Sequence, residues 1–188
     1  APNGKIFYAE RKGNLKMYDP KKGKSKVVAK FDVYTQHEYG LMGLNLDPNY
    51  EKNHWVYVFY SPPSGKADTA QPLSRFTYDE GKDTLLMDSE KVLLRVPVKR
   101  TGCCHTGGSI AWDKQGNLYL STGDDTNPFE SNGYGPMDNR PNRSGWDARA
   151  TSSNTNDLRG KILRIKPKDD GTYSIPEGNL FSPGTYHA

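Results

Sequence analysis

Two adjacent cysteines followed directly by a histidine are the residues in this sequence best suited to chemistry. Cys103 and Cys104 are the only cysteines among the 188 residues, and His105 comes next. Adjacent placement excludes the C-x-x-C spacing of zinc and thioredoxin sites. One interpretation is a strained vicinal disulfide that lies against a planar cofactor, beside a histidine that serves as general base. The other is a pair of small buried hydrophobic side chains beside a hydrogen-bonded core histidine.

The surrounding composition favours a turn-rich, all-β fold. Hydrophobic residues make up 34% and aromatic residues 11% of the chain, with 19 glycines and 13 prolines, unlike a disordered protein. No apolar run approaches the roughly 20 residues of a membrane-spanning helix, and the start Ala1-Pro2-Asn3 carries no signal sequence, so we expect a processed protein without a membrane span. The formal charge of +4 comes from scattered lysines, which argues against a nucleic-acid-binding surface.

Short strands recur along the chain in a fixed order. A strand that ends at Asp47 and an aromatic-rich strand at 55–61 reappear as a strand that ends at Asp113 and a second at 118–122. A third type of strand recurs at 15–19, 74–79 and 162–166. A fourth strand follows two of these copies, at 26–31 and 91–98. Four short antiparallel strands in roughly 60 residues indicate one blade of a β-propeller, and no helix is predicted.

The chain holds about three such units, and a long polar loop at 123–157 interrupts the last one. Propellers close at roughly four to eight blades. An open arc of three blades would expose apolar faces at its flanks. The sequence therefore predicts one partial propeller domain over residues 1–188 that either self-associates or lacks a C-terminal half.

Four motifs resemble those of the soluble glucose and sorbosone dehydrogenases. Gly40-Leu41-Met42-Gly43, followed by Asp47-Pro48-Asn49-Tyr50, is similar to their glycine-leucine-leucine-glycine and histidine-proline-aspartate-phenylalanine region. The remaining motifs follow in the family's order, at 105–124, 158–165 and 175–181. Together they span the chain from Glu38 to Phe181 in a fixed order, which makes the resemblance specific.

The resemblance implies a six-bladed propeller with pyrroloquinoline quinone (PQQ) and calcium in its central funnel. His105 matches the family histidine that takes the proton from the sugar hydroxyl while hydride passes to the quinone. Glu38 lies two residues before the glycine motif, at a position that faces the cofactor in the family. We assign Cys103, Cys104 and Thr106 to the same cofactor-binding set.

The sequence departs from the family pattern in two ways. Ser109 stands where many members carry an arginine, which leaves one sugar or quinone contact without its usual residue. The chain also reaches Ala188 before the region that holds most of the family's basic quinone ligands and calcium carbonyls, so metal ligands stay unknown. Five aspartates around the long loop offer oxygen ligands, but their spacing does not match the Asp-x-Asp-x-Asp-Gly calcium loop: Asp124, Asp125, Asp138, Asp147 and Asp157.

Two classes of function remain. The first is a quinoprotein that oxidises an aldose or related polyol and passes electrons to an acceptor such as a cytochrome. Quinone-dependent dehydrogenases with eight-bladed propellers pack a vicinal disulfide against the quinone, and by analogy we favour that bond between Cys103 and Cys104. A disulfide requires an oxidising compartment, which predicts a periplasmic or secreted protein. The second class is a sugar- or protein-binding propeller that has lost redox chemistry.

Overall fold

Antiparallel sheets account for most of the structure, a computed structural model that describes residues 1–63, 69–100 and 104–180. Within these ranges the strands form three sheets. The first sheet has the order β1-β2-β3, with bounds Ile6–Ala9, Asn14–Asp19 and Lys24–Lys30. The second has the order β4-β5-β6-β7, with bounds Leu41–Leu46, Trp55–Tyr60, Gln71–Asp79 and Thr84–Val96. The third has the order β8-β9-β10-β11, with bounds Gly107–Trp112, Leu118–Thr122, Ile162–Pro167 and Tyr173–Ser174.

In the described ranges, helical structure is limited to single turns. The helix α1 spans Tyr50–Asn53 and ends at His54, whose φ of 54° is left-handed and whose N–H donates to the Tyr50 carbonyl. Two 3-10 turns lie in the long loop, at Ser144–Trp146 and Ala148–Ala150. In the part of the chain that the structure describes, no helix has the length and apolar character to cross a membrane.

The predicted recurrence of strands is confirmed, and the largest difference from the prediction is the length of β7. The fourth strand of the second sheet, β7, begins at Thr84 instead of Lys91. Two irregularities in its pairing with β6 allow this, because the register shifts between Leu73 and Ser74 and again between Arg75 and Thr77. Such bulges bend a strand and let it continue along its partner.

The core lies between the sheets, in two apolar clusters that share the second sheet. Val56 and Val58 of β5 pack into the cluster shared with the first sheet, and Tyr57 and Phe59 into the cluster shared with the third. Alternate side chains of a strand point to opposite faces. The unbroken apolar run of β5 therefore reflects burial on both faces, as in stacked propeller blades.

The inner strands β4 and β8 pack side by side. A Cβ placed on Gly43 would lie 2.2 Å from the carbonyl oxygen of Gly108, so only glycine allows this approach. Asn45 fastens the same contact because its Nδ2 donates to the Ile110 carbonyl at 2.8 Å. The residues just before β4 and just before β8 consequently meet at one end of the sheets.

The outward face of the third sheet is apolar and exposed among the residues that the structure describes. Ile162 of β10 is 75% exposed and Leu180 is 88% exposed, and Ile175 and Tyr173 add to the same surface. An exposed apolar flank of this kind is what an open propeller arc predicts. Self-association through it stays a prediction.

Candidate active site

His105 lies two residues before β8 and faces the segment before β4. Its backbone is left-handed, with φ 61°, and its N–H donates to Oε2 of Glu38 at 2.6 Å. Asp125 closes the other side, since its N–H donates to the His105 carbonyl at 3.3 Å. Contacts from two sheets therefore fix the peptide units on both sides of the imidazole.

The imidazole of His105 contacts the carboxylate of Asp124. Nδ1 lies 2.8 Å from Oδ1 of Asp124, and the histidine side chain is 45% exposed against 20% for the aspartate. The hairpin of β8 and β9 brings them together. Gly107 pairs with Thr122, and the same antiparallel register continued by two residues places His105 opposite Asp124. When Nδ1 carries the proton and donates to the carboxylate, Nε2 of this half-exposed ring is left unprotonated, which is the arrangement of an oriented general base.

Arg11 binds the backbone of the segment that carries Glu38. Nη1 of Arg11 donates to the carbonyls of Thr35, His37 and Tyr39 at 2.9, 3.1 and 2.7 Å. One guanidinium nitrogen thus gathers alternate carbonyls of the segment into a tight bend. Glu38 projects from this bend toward His105.

Thr106 completes the contact between the two sheets. Its hydroxyl is buried and donates to the Glu38 carbonyl at 3.4 Å. Glu38 therefore accepts one hydrogen bond on its side chain and one on its backbone from consecutive residues of the third sheet. The shape of the site depends on this pairing of Glu38 with His105 and Thr106.

Behind the imidazole lies a buried group of hydrogen bonds around Asp125. Its carboxylate accepts from the Tyr39 hydroxyl at 3.1 Å and from Nη1 of Arg159 at 3.0 Å. Burial, followed by the charge of Asp125, raises the pKa of Tyr39 well above its ordinary value, so the phenol stays protonated. We call Glu38, Tyr39, His105, Asp124 and Asp125 the His105 network.

The imidazole opens onto a shallow depression of about 450 Å³. Residues on and around β9 and β10 line it, and they include His105, Asp124, Ser121, Ser152, Lys161 and Ile162. The ammonium of Lys161 donates to the carbonyls of Thr151, Ser152 and Arg159 at 2.7, 3.0 and 2.8 Å. Burial lowers the pKa of Lys161. The depression is large enough to admit a small polar molecule beside the base.

The structure brings three of the residues selected from the sequence into contact: Glu38, His105 and Thr106. Cys104 is buried, with 8% of its surface exposed, and Cys103 lies outside the described residues. The vicinal disulfide stays a prediction for that reason. Direct contact of Glu38, Cys104 and Thr106 with a cofactor likewise stays a prediction.

Most of the loop aspartates are paired with arginines. Asp138, Asp147 and Asp157 each bind the guanidinium two residues later, from Arg140, Arg149 and Arg159. This Asp-x-Arg repeat is visible in the sequence, and each of these carboxylates already binds a guanidinium. Among the residues that the structure describes, no group of three or more His, Cys, Asp or Glu side chains is placed to hold a metal ion.

Comparison with known proteins identifies the family. The chain matches the Glucose / Sorbosone dehydrogenase family over residues 1–187, and it belongs to that family. It is 26% identical to the aldose sugar dehydrogenase YliI of Escherichia coli over 174 residues, covering 91% of this chain and 39% of that protein. It is 29% identical over 189 residues to an uncharacterised Synechocystis protein, covering 96% of this chain and 41% of that one.

A solved structure of an aldose sugar dehydrogenase from Streptomyces coelicolor in its PQQ-bound form shares the fold. The TM-score is 0.72 at 27% identity, over 98% of this chain and 46% of that one. The sheets of this chain are thus part of a propeller of the same family. The chain spans about 40% of the length of the curated relatives it matches.

The described residues fit only one edge of a PQQ site. His105 and Asp124 supply a base and its orienting carboxylate next to an open depression. PQQ, however, is a tricarboxylate that needs cationic partners. The nearest cations already have partners, because Arg159 binds Asp125 and Asp157, and Lys161 binds three carbonyls. The described part of the chain therefore fits the proton-accepting edge of such a site and not its anion-binding edge.

Proposed function

We propose that this chain is part of a PQQ-dependent sugar dehydrogenase in which His105 is the general base. The observation that carries the proposal is the 2.8 Å contact between Nδ1 of His105 and Asp124 at the edge of the open depression. Family membership and the PQQ-bound neighbour support the redox chemistry. The substrate class is an aldose or a related polyol.

His105 acts on the hydroxyl of the sugar. Its Nε2 accepts the hydroxyl proton, while the C–H bond of the carbon that bears this hydroxyl breaks and the carbonyl of the product forms. Asp124 keeps the second ring proton on Nδ1 and stabilises the imidazolium that results, as the carboxylate of a catalytic triad does. Glu38 holds the His105 peptide so that the ring faces the depression. PQQ, when bound, supplies the acceptor for the hydride.

The cations that bind the PQQ carboxylates, and the calcium site, are proposed to come from the rest of a longer protein. The relatives are more than twice as long as the matched region. A cytochrome or another acceptor is proposed to take the electrons from the reduced quinone. A periplasmic or secreted location follows if the disulfide between Cys103 and Cys104 forms.

The test is His105→Asn in the protein that contains this chain, reconstituted with PQQ and calcium and screened by dye reduction with a panel of aldoses. Asparagine tolerates the left-handed backbone at this position, so the fold should persist. It has no ring nitrogen to accept a proton, so we expect kcat to fall by about 10²- to 10⁴-fold. The loss should appear in single-turnover reduction of the quinone.

The matched control is His54→Asn. His54 also has a left-handed backbone, with φ 54°, but follows α1 at the opposite end of β4 from His105. We expect activity close to wild type for this variant. A His105→Asn protein that melts at a lower temperature yet reduces the quinone at the wild-type rate would contradict the catalytic assignment and favour a structural role for His105.

A further inference from the structure

Asp125 binds the chain on both sides of the stretch 101–103, which precedes the candidate base. Its carboxylate Oδ2 accepts from the backbone N–H of Lys99 at 2.8 Å, before the stretch. Its own N–H donates to the carbonyl of His105 at 3.3 Å, after the stretch. Asp125 thus binds described residues on both sides of this stretch, Lys99 and His105.

The same carboxylate also binds residues in two other connections between strands. Oδ1 accepts from Tyr39, next to Glu38 before β4, and Oδ2 accepts from Arg159, which precedes β10. The Asp125 side chain is only 7% exposed, and Tyr39 is fully buried. A buried carboxylate with a guanidinium, a phenol and an amide as donors is held firmly, because charge-assisted hydrogen bonds are short and strong.

The contacts of the His105 network form a closed ring. Glu38 binds the His105 N–H and His105 binds Asp124, which is covalently joined to Asp125. Asp125 binds Tyr39, which is covalently joined to Glu38. Moving the Asp125 carboxylate would therefore displace the orienting carboxylate on one side of the imidazole and the Glu38 carboxylate on the other.

We propose that Asp125 is the positioning residue of the base: it sets the orientation of the His105 ring toward Asp124 without touching the substrate. This inference rests on the proposed function for its catalytic meaning, while its geometric content concerns this chain alone. Asp125 acts through backbone and network contacts. Its effect should therefore appear in turnover and ring orientation more than in substrate binding.

The test is Asp125→Asn, with two readouts. The first is the protonation pattern of the His105 ring nitrogens from ¹⁵N chemical shifts of histidine-labelled protein, assigned with His105→Asn. We expect the wild type to hold the proton on Nδ1 and the variant to populate both tautomers. The second is kinetics of the PQQ-loaded protein, where we expect kcat to fall at least about 10-fold and KM to change less than about 3-fold.

The matched control is Asp138→Asn. Asp138 is also a buried loop aspartate bound to two guanidiniums, Arg140 and Arg143, but it does not contact the His105 network. We expect Asp138→Asn to lower the melting temperature while leaving the His105 tautomer and kcat unchanged. Should Asp125→Asn fail to fold, Tyr39→Phe removes a single hydrogen bond to the same carboxylate and is expected to give a smaller shift in the same readouts.

The outcomes separate this inference from the proposed function. If Asp125→Asn keeps the wild-type tautomer and kcat, the positioning role is overturned even in an active enzyme. A wild-type protein without sugar oxidation would overturn the proposed function, and the tautomer shift would still decide the role of Asp125. A shift in Asp138→Asn equal to that in Asp125→Asn would mean that any loss of loop stability disturbs the ring, which also overturns the positioning role.

Discussion

Gly123 offers the sharpest mutational test of how the site is built. It follows β9 directly and passes close to the backbone before β8. A Cβ placed on Gly123 would lie 1.5 Å from the carbonyl oxygen of His105, 2.0 Å from its carbonyl carbon and 2.6 Å from the N of Thr106. All three are backbone atoms, so no side-chain rotation can relieve the contact.

The size of the effect follows from these distances. A carbon normally approaches a carbonyl oxygen no closer than roughly 3.3 Å, so Gly123→Ala must push the His105 peptide away by roughly 2 Å. Overpacking typically costs about 1 to 3 kcal/mol, and we expect the upper end here because the backbone must move. For the 188-residue chain that loss lowers the melting temperature by about 6 to 12 °C. Displacement of the base should also lower kcat by at least about 10²-fold.

The assay combines thermal unfolding by circular dichroism with turnover of the PQQ-loaded protein. Gly81→Ala is the matched control, because a Cβ at Gly81 meets only the Asp79 carboxylate, at an ordinary 3.4 Å. We expect Gly81→Ala to melt within about 2 °C of wild type, as a surface substitution does. Equal melting temperatures for the two variants would refute the close approach of Gly123 to His105.

Two further predictions concern the loop and the uncovered flank. Hydrogen bonds from Arg140, together with Ser131 and Arg143, hold the pKa of Asp138 far below its ordinary value. The contribution of Asp138 to stability should therefore be level above about pH 4 and fall as the pH drops further, because the unfolded chain then binds more protons. Melting temperatures measured stepwise from pH 5 to pH 2 should fall less steeply for Asp138→Asn than for the wild type. The 188-residue chain alone should self-associate through its apolar flank, as measured by sedimentation velocity. The substitution Ile162→Glu should shift the chain toward monomer. A wild-type chain that stays monomeric at high concentration would contradict the prediction.

The fold was largely readable from the sequence because each sheet repeats the same pattern. Segments of about six residues that are apolar throughout or that alternate between apolar and polar residues, with turn residues between them, indicate the strands of a blade. This holds whatever the particular side chains are. The run Val56-Tyr57-Val58-Phe59 also signals burial on both faces. The start of β7 was less predictable, because bulges depend on the partner strand and carry no local signature.

The partner of His105 could not be assigned from the sequence for a related reason. Ile110 pairs with Leu120, and an unbroken hairpin from that pair would place His105 opposite Asp125. The register shifts between Gly107 and Ile110, so that Gly107 pairs with Thr122 and Asp124 becomes the partner. A one-residue irregularity thus decides which of two adjacent aspartates contacts the base. Glu38 was selected by family resemblance, but its contact with the His105 N–H depends on the packing of β4 against β8.

The second sheet has a further consequence for how the molecule comes apart. β5 has no solvent face, because its alternate side chains belong to the two different clusters. Loosening either outer sheet leaves the other cluster intact, whereas loosening β5 uncovers both clusters at once. Local opening can therefore release β11, a two-residue edge strand, at little cost. Release of β5 should require global unfolding, so its amide hydrogens should be among the slowest to exchange in the chain.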